Sequence, residues 1–215
     1  MKKSEISKAE INSVITLFSN GDLDKALTNA NKLIKAFPEN SLLHNILGAC
    51  YAGLGQLDSA VKSYEKAIQI EPNYAKAYFN LGAAFQELNQ TNKSIKSYEK
   101  SIIIDPNYAE AHNNLGSVYL EIDEYEKAIK SFKNAILIKP DYVEANYALA
   151  ITLQGKGDIE QMIEQFKKVL TIQPDLDEVH YRIGQGFQDL GHQDKAVQYY
   201  QNAIEINPNF SEAFN

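Results

Sequence analysis

The chain has 215 residues, 44% hydrophobic and 23% charged, which is the make-up of a globular protein long enough for a large apolar core. Its net charge of −7 argues against nucleic acid as the main partner, and the single cysteine, Cys50, excludes an internal disulfide or a cysteine-based zinc cage. No apolar run reaches the roughly 18 residues a membrane span needs, and the basic start Met1-Lys2-Lys3 leads into an amphipathic segment, so a cytoplasmic protein is expected, with no membrane partner.

Its prolines are Pro38, Pro72, Pro106, Pro140, Pro174 and Pro208, each 34 residues from the next. A helix-ending residue on a strict period marks an internal repeat. Cutting two residues past each proline gives repeats 7–40, 41–74, 75–108, 109–142, 143–176 and 177–210 within one domain spanning 1–215. In each repeat, apolar residues at helical spacing fill two segments, as with Leu57, Val61, Tyr64 and Ile68. The two segments are separated at the fifteenth position by Gly21, Gly55, Asn89, Asp123, Gly157 or Gly191, residue types that tolerate the left-handed conformation. The prediction is helix, tight turn, helix and proline stop, six times over. Asn73, Asn107, Asp141, Asp175 and Asn209, each just after a proline, are expected to cap the helices that follow.

Taken in chain order, repeat 1 departs from the rest at Ser13, Val14 and Ala30, as a capping repeat facing water would. Repeats 2, 3, 4 and 6 carry small residues at position 8 (Gly48, Gly82, Gly116, Gly184) and position 20 (Ala60, Ser94, Ala128, Ala196). They carry aromatics at position 11 (Tyr51, Phe85, Tyr119, Phe187) and position 24 (Tyr64, Tyr98, Phe132, Tyr200), so small residues face large ones at fixed offsets, as close-packed helices require. Repeat 5 has Ala150 and Phe166 at positions 8 and 24, and it carries Met162 and Val169 where small residues stand elsewhere. A changed angle between neighbouring helices is expected around it. Ser211–Asn215 open a further repeat with no capping helix behind them, so a longer protein, or self-association through the C-terminal end, is expected.

The small-x-x-aromatic pattern of Gly48-Ala49-Cys50-Tyr51, the alanines at positions 20 and 27 and the proline at 32 resemble the tetratricopeptide repeat over residues 7–210. Strings such as Ala109-Glu110-Ala111-His112-Asn113-Asn114-Leu115-Gly116 resemble the repeats of O-linked N-acetylglucosamine transferases and their bacterial relatives. The resemblance implies an all-α fold, an α-solenoid wound as a right-handed superhelix of six helix-turn-helix repeats. It also implies that the first helix of each repeat lines a concave groove.

By helical spacing the inner stripe falls at positions 2, 6, 9 and 13. Repeat 2 is apolar there (Leu42, Ile46, Ala49, Gly53), whereas the remaining repeats supply Glu87, Glu110, Glu121, Glu144, Glu178 and Asp189 against Lys8, Lys76 and Arg182. That balance favours a neutral to basic peptide. Position 6 carries Asn12, Asn80 and Asn114. Amides supply both a donor and an acceptor to an extended backbone, and the transferases that the chain resembles use asparagine at the matching place. With the flanking Phe79, Asn113, Tyr147, Tyr181 and Gln185, the candidate peptide-binding set is Phe79, Asn80, Glu87, Asn113, Asn114, Glu121, Tyr147, Tyr181, Arg182 and Gln185. Gln86, Gln154 and Gln188 stand beside it. Lys62, Lys66, Lys93, Lys96, Lys100, Lys127 and Lys130 recur on second helices and read as a solvated outer face.

No catalytic constellation assembles. His44, His112 and His180 share position 4 but lie two repeats apart, too far to converge on one metal, and they read as packing residues. Cys50 reads as a small buried hydrophobe, and neither Gly155-Lys156-Gly157 nor Gly184-Gln185-Gly186 follows a strand. The expected function is a non-enzymatic interaction scaffold without cofactor or metal, binding an extended peptide or protein segment. The alternative is the substrate-recruiting N-terminal arm of a larger transferase.

Overall fold

The computed structural model describes residues 6–208. The basic start, Asn209 and the opening of a further repeat at Ser211–Asn215 lie outside the described residues. Among the described residues the fold is an all-α solenoid of helix hairpins, and the chain divides into two compact units, Met1–Asn107 and Tyr108–Asn215. The first unit stacks α1 (Lys8–Ser19), α2 (Leu23–Ala36), α3 (Ser41–Gly53), α4 (Leu57–Ile70), α5 (Ala75–Glu87) and α6 (Thr91–Ile104) in chain order. The second does the same with α7 (Ala109–Glu121), α8 (Tyr125–Ile138), α9 (Val143–Lys156), α10 (Ile159–Ile172), α11 (Asp177–Asp189) and α12 (Gln193–Ile206).

Every hairpin turns at the residue the sequence singled out. Gly21, Gly55, Gly157 and Gly191 have φ between 72° and 86°, and Asn89 and Asp123 adopt the same left-handed region at 57° and 58°. The following N–H closes the turn on a first-helix carbonyl five residues back, as Gln56 does on Tyr51 at 2.8 Å.

The caps differ from expectation. Asn73, Asn107, Asp141 and Asp175 sit one residue too early, because the N-caps are Tyr74, Tyr108, Tyr142 and Leu176, none of which makes a side-chain capping bond. Only Asn40, at that same place in repeat 1, accepts from the Leu43 N–H (3.0 Å), while Ser7 and Glu10 form a reciprocal capping box on α1. A different bond holds the turn from one repeat into the next. The position-4 side chain reaches back six residues to the proline carbonyl, with His44 Nε2 on Pro38 O at 2.8 Å and His180 Nε2 on Pro174 O at 3.2 Å. In repeat 5 the Asn146 amide donates to Pro140 O at 3.1 Å instead. These histidines are therefore turn fasteners, and no group of His, Cys, Asp or Glu among the described residues could hold a metal.

Inside each hairpin the small residue at position 8 leaves no clearance. A Cβ built on Gly48, Gly82, Gly116 or Gly184 would stand 2.5–2.8 Å from the ring of Tyr64, Tyr98, Phe132 or Tyr200. Repeat 1 reverses the order. Val14 and Ala30, at the same two positions, are both buried in one cluster, so they are core residues and only Ser13 of the three departures faces water. Met162 is buried as well, and its space comes from the next repeat: its Cε lies 2.5 Å from where Gly186 would carry a Cβ. Cys50 is buried, and burial raises its thiol pKa, so it is a packing residue.

The outer lysines are not all free in solvent. Lys93 stands 5.1 Å from the Phe85 ring centre, Lys127 5.5 Å from Tyr119 and Lys195 5.2 Å from Phe187. In all three the position-19 ammonium covers the position-11 ring of the same repeat, a cation–π contact that shields a core aromatic from water.

Two double-mutant cycles test this packing. Gly116→Val alone is expected to destabilise the second unit by about 2–4 kcal/mol, and adding Phe132→Ala to restore the repeat 1 order should recover most of it, read from urea unfolding. Gly186→Ala should cost about 1–3 kcal/mol, and less in a Met162→Ala background, where the opposing thioether is gone.

Candidate functional site

The candidate residues lie on first helices, each unit presenting its own face. In the first unit α3 and α5 bring two amides together: Asn80 Nδ2 donates to Asn45 Oδ1 at 3.0 Å across one repeat. Asn45 is buried and was not among the candidates. The signal for it was its position, the same position 5 that Asn113 holds in repeat 4. Beside Asn80, the half-buried Phe79 packs its ring 5.8 Å from Tyr98, while Glu87 is exposed. The first helices of this unit also expose Lys8, Asn12 and Lys76, together with Ile15 and Phe18 at 40% and 36% exposure.

In the second unit Asn113 and Asn114 are half-buried on α7, joined by an Asn113 Nδ2 to Asn114 Oδ1 bond of 3.3 Å, and Glu121 is exposed at the far end of the helix. Asn113 Oδ1 is shut from solvent without a hydrogen-bond donor. The remaining candidates converge between α9 and α11. Tyr147 and Tyr181 rest their rings on the position-24 aromatics, Tyr147 against Phe166 at 5.5 Å and Tyr181 against Tyr200 at 5.5 Å.

The polar edge of Tyr147 faces a network centred on Glu178. Tyr147 donates its hydroxyl to Glu178 Oε1 at 2.8 Å, and Arg182 Nη2 and Nε donate to the same oxygen at 2.7 and 3.0 Å. Arg182 Nη1 extends to Gln154 Oε1 at 3.3 Å. Gln154 can serve there because of a local substitution. Tyr98 and Tyr200 spend their hydroxyls on the equivalent glutamines Gln86 and Gln188 (3.2 and 2.6 Å), but repeat 5 has Phe166, which has no hydroxyl. Gln185 donates to the Tyr181 hydroxyl at 3.0 Å.

The electrostatics follow. The Arg182 guanidinium, then the Tyr147 hydroxyl, hold the Glu178 carboxyl below its ordinary value of 4.5. Burial first, then the bond to Glu178, pushes the Tyr147 hydroxyl up. Tyr142 is raised by burial and then by Glu110 and Glu144, so carboxylates from two successive first helices bear on one ring. Two inner-stripe positions are taken up by packing: a Cβ on Gly53 would lie 2.9 Å from Leu23, and one on Gly155 3.0 Å from Tyr125. No helix among the described residues is long and apolar enough to cross a membrane.

Family models described as TPR repeat match residues 51–89 and 84–123, and models described as tetratricopeptide repeat match 109–142, 143–176 and 178–210. Among solved structures, MamA is 28% identical and covers 77% of this chain and 97% of its own, with a TM-score of 0.72. YrrB, described as a TPR protein with an unusual peptide-binding site, is 19% identical over 86% of this chain and 95% of its own, with a TM-score of 0.75. PilF of Pseudomonas aeruginosa is 15% identical over 96% and 94%, with a TM-score of 0.81. The last two likenesses carry the fold alone, and nothing in any of them singles out the glycosyltransferase branch. A search of the curated proteins finds no match.

A Glu178 titration tests the network. Its depressed folded-state pKa means that the network's contribution to stability is present above the unfolded value and is lost as pH falls through the folded one. The Glu178 side-chain carbon, followed by NMR, should titrate below 4.5 in the parent and move back toward 4.5 in Arg182→Met.

The models match residues 51–176 and 178–210, and the hairpins they describe are those of the structure, so the chain belongs to the tetratricopeptide repeat family.

Proposed function

We propose that the chain is a protein-interaction scaffold whose first-helix faces bind an extended, neutral to basic segment of a partner protein. The contact residues in this reading are Phe79, Asn80 and Glu87 in the first unit. In the second they are Asn113, Asn114, Glu121, Tyr147, Tyr181, Arg182 and Gln185.

One observation carries the reading. On α9 and α11, half-buried aromatic and amide side chains are held in fixed poses by one another, Gln185 on Tyr181 and Tyr147 with Arg182 on Glu178, rather than being folded into the core. A surface set in advance loses little side-chain entropy on binding, and tyrosine with arginine is the composition that protein contacts favour. Arg182 is neutralised by its own Glu178, and on the rest of the stripe the exposed Glu87, Glu110, Glu121, Glu144 and Asp189 outnumber the exposed Lys8 and Lys76. That supports a ligand carrying lysine or arginine. YrrB, which shares the fold, is described as having a peptide-binding site.

Screening a displayed random-peptide library against the chain tests this. Enriched sequences should carry lysine or arginine. Glu87→Gln with Asp189→Asn should weaken them, more at low than at high salt, with an unchanged thermal midpoint because both side chains are exposed. A screen that returns acidic sequences, or peptides indifferent to both changes, refutes the reading.

A further inference from the structure

Repeat 5 lacks a part that other repeats share on the side away from the first-helix faces. Repeats 3, 4 and 6 fill position 11 with an aromatic ring under the position-19 lysine, and in repeat 6 a second lysine, Lys167 from position 25 of repeat 5, stands 5.7 Å from the same Phe187 ring centre. In repeat 5 position 11 is Leu153 and position 19 is Gln161, so both the ring and its lysine cover are missing.

A cavity of about 290 Å³ opens there between α8 and α10. Its floor is Leu149 and Leu153, with Gln161 and Gln165 on one wall and Lys133 and Lys168 at the rim. Repeat 1 reports the same cause separately. It is the other repeat with leucine at position 11, Leu17, and a cavity lies over that leucine too, lined by residues at the same positions as in repeat 5. There, however, Lys25 is drawn into an ion pair with Asp22 at 3.3 Å.

We propose that the repeat 5 cleft seats an aromatic side chain, phenylalanine or tyrosine, of a partner protein, with the ring lying on Leu149 and Leu153 and its face toward the Lys133 ammonium. The occupant is identified by what the neighbouring repeats place there and by electrostatic fit. Lys133 comes from position 25, the place from which Lys167 covers Phe187, and it makes no ion pair or hydrogen bond among the described residues. The negative face of a ring complements an unengaged ammonium, whereas an aliphatic side chain leaves it unanswered. The two carboxylates at the cleft do not cancel that preference: Glu164 is held by Lys167 at 2.9 Å, and Glu160 is exposed. The walls are prearranged, since Gln165 is fixed by donating to Asn146 at 2.7 Å and accepts from Lys168 at 3.3 Å. This site is separate from the first-helix faces and stands or falls without them.

The test uses the whole chain and N-acetyl-phenylalaninamide, followed through the methyl resonances of Leu149 and Leu153. Saturable shifts are expected, with a Kd on the order of a millimolar for so small a probe. N-acetyl-cyclohexylalaninamide, of similar shape without the π face, should bind more weakly, and Lys133→Ala should weaken the phenylalanine probe about two- to fivefold. Leu153→Phe with Gln161→Lys rebuilds the arrangement of repeats 3, 4 and 6 and should abolish binding while raising the urea midpoint. No saturable shift up to the probe's solubility limit, equal binding of the cyclohexyl analogue, or binding that persists in the filled variant would overturn the proposal. Should the filled variant not fold, the analogue and Lys133→Ala decide the matter in the parent background.

Discussion

Four of the six hairpins depend on a contact with no slack, in which an aromatic ring on the second helix lies against the bare backbone of a glycine on the first. In repeats 2, 3, 4 and 6 the ring is closer to the glycine than any side chain could stand, which fixes how near the two helices approach. Everything polar on the first helices is positioned from there. Tyr147 and Tyr181 can offer their hydroxyls on the opposite edge because their rings are seated on Phe166 and Tyr200, the same position-24 residues that set the helix spacing. Core packing and the candidate binding face are thus two sides of one layer of rings.

Much of this was legible in the sequence. The turn residues declare their conformation by type, and a strict period lets six weak local signals be read as one. Small and aromatic residues stood out because both recur at fixed offsets, but which glycine meets which ring is set by the hairpin geometry. What failed, failed by a small displacement: Asn73, Asn107, Asp141 and Asp175 are the residue types that cap helices, but each α-helix begins one residue later than composition suggested. The cap place is held by tyrosine or leucine, and in repeats 5 and 6 the turn is fastened by the bond from the position-4 side chain to the proline carbonyl.

The bonds that join the candidate side chains were not legible in the sequence. Asn80 was visible at position 6, but its partner Asn45 sits at position 5 of the repeat before, a pairing that depends on how far successive first helices are offset. In the same way Arg182 and Glu178 share a helix and could be paired on spacing, whereas Gln154 joins them only because Phe166 has no hydroxyl to claim it. The missing ring of repeat 5 was present in the sequence as Leu153 and Gln161. It acquires meaning only once lysines are seen over the rings of the other repeats.

The reversed pair in repeat 1 constrains how such a gene can rearrange. Tandem copies invite unequal crossing-over, and a crossover at the proline joins whole hairpins and preserves the pairing of positions 8 and 24 within each. A crossover inside a hairpin that joined the first helix of repeat 1 to the second helix of repeat 2 would drive Val14 into Tyr64. The reciprocal product would face Gly48 with Ala30 and leave a hole where a ring should be. The repeats are interchangeable only as intact hairpins, and the register for exchanging them is marked by the prolines.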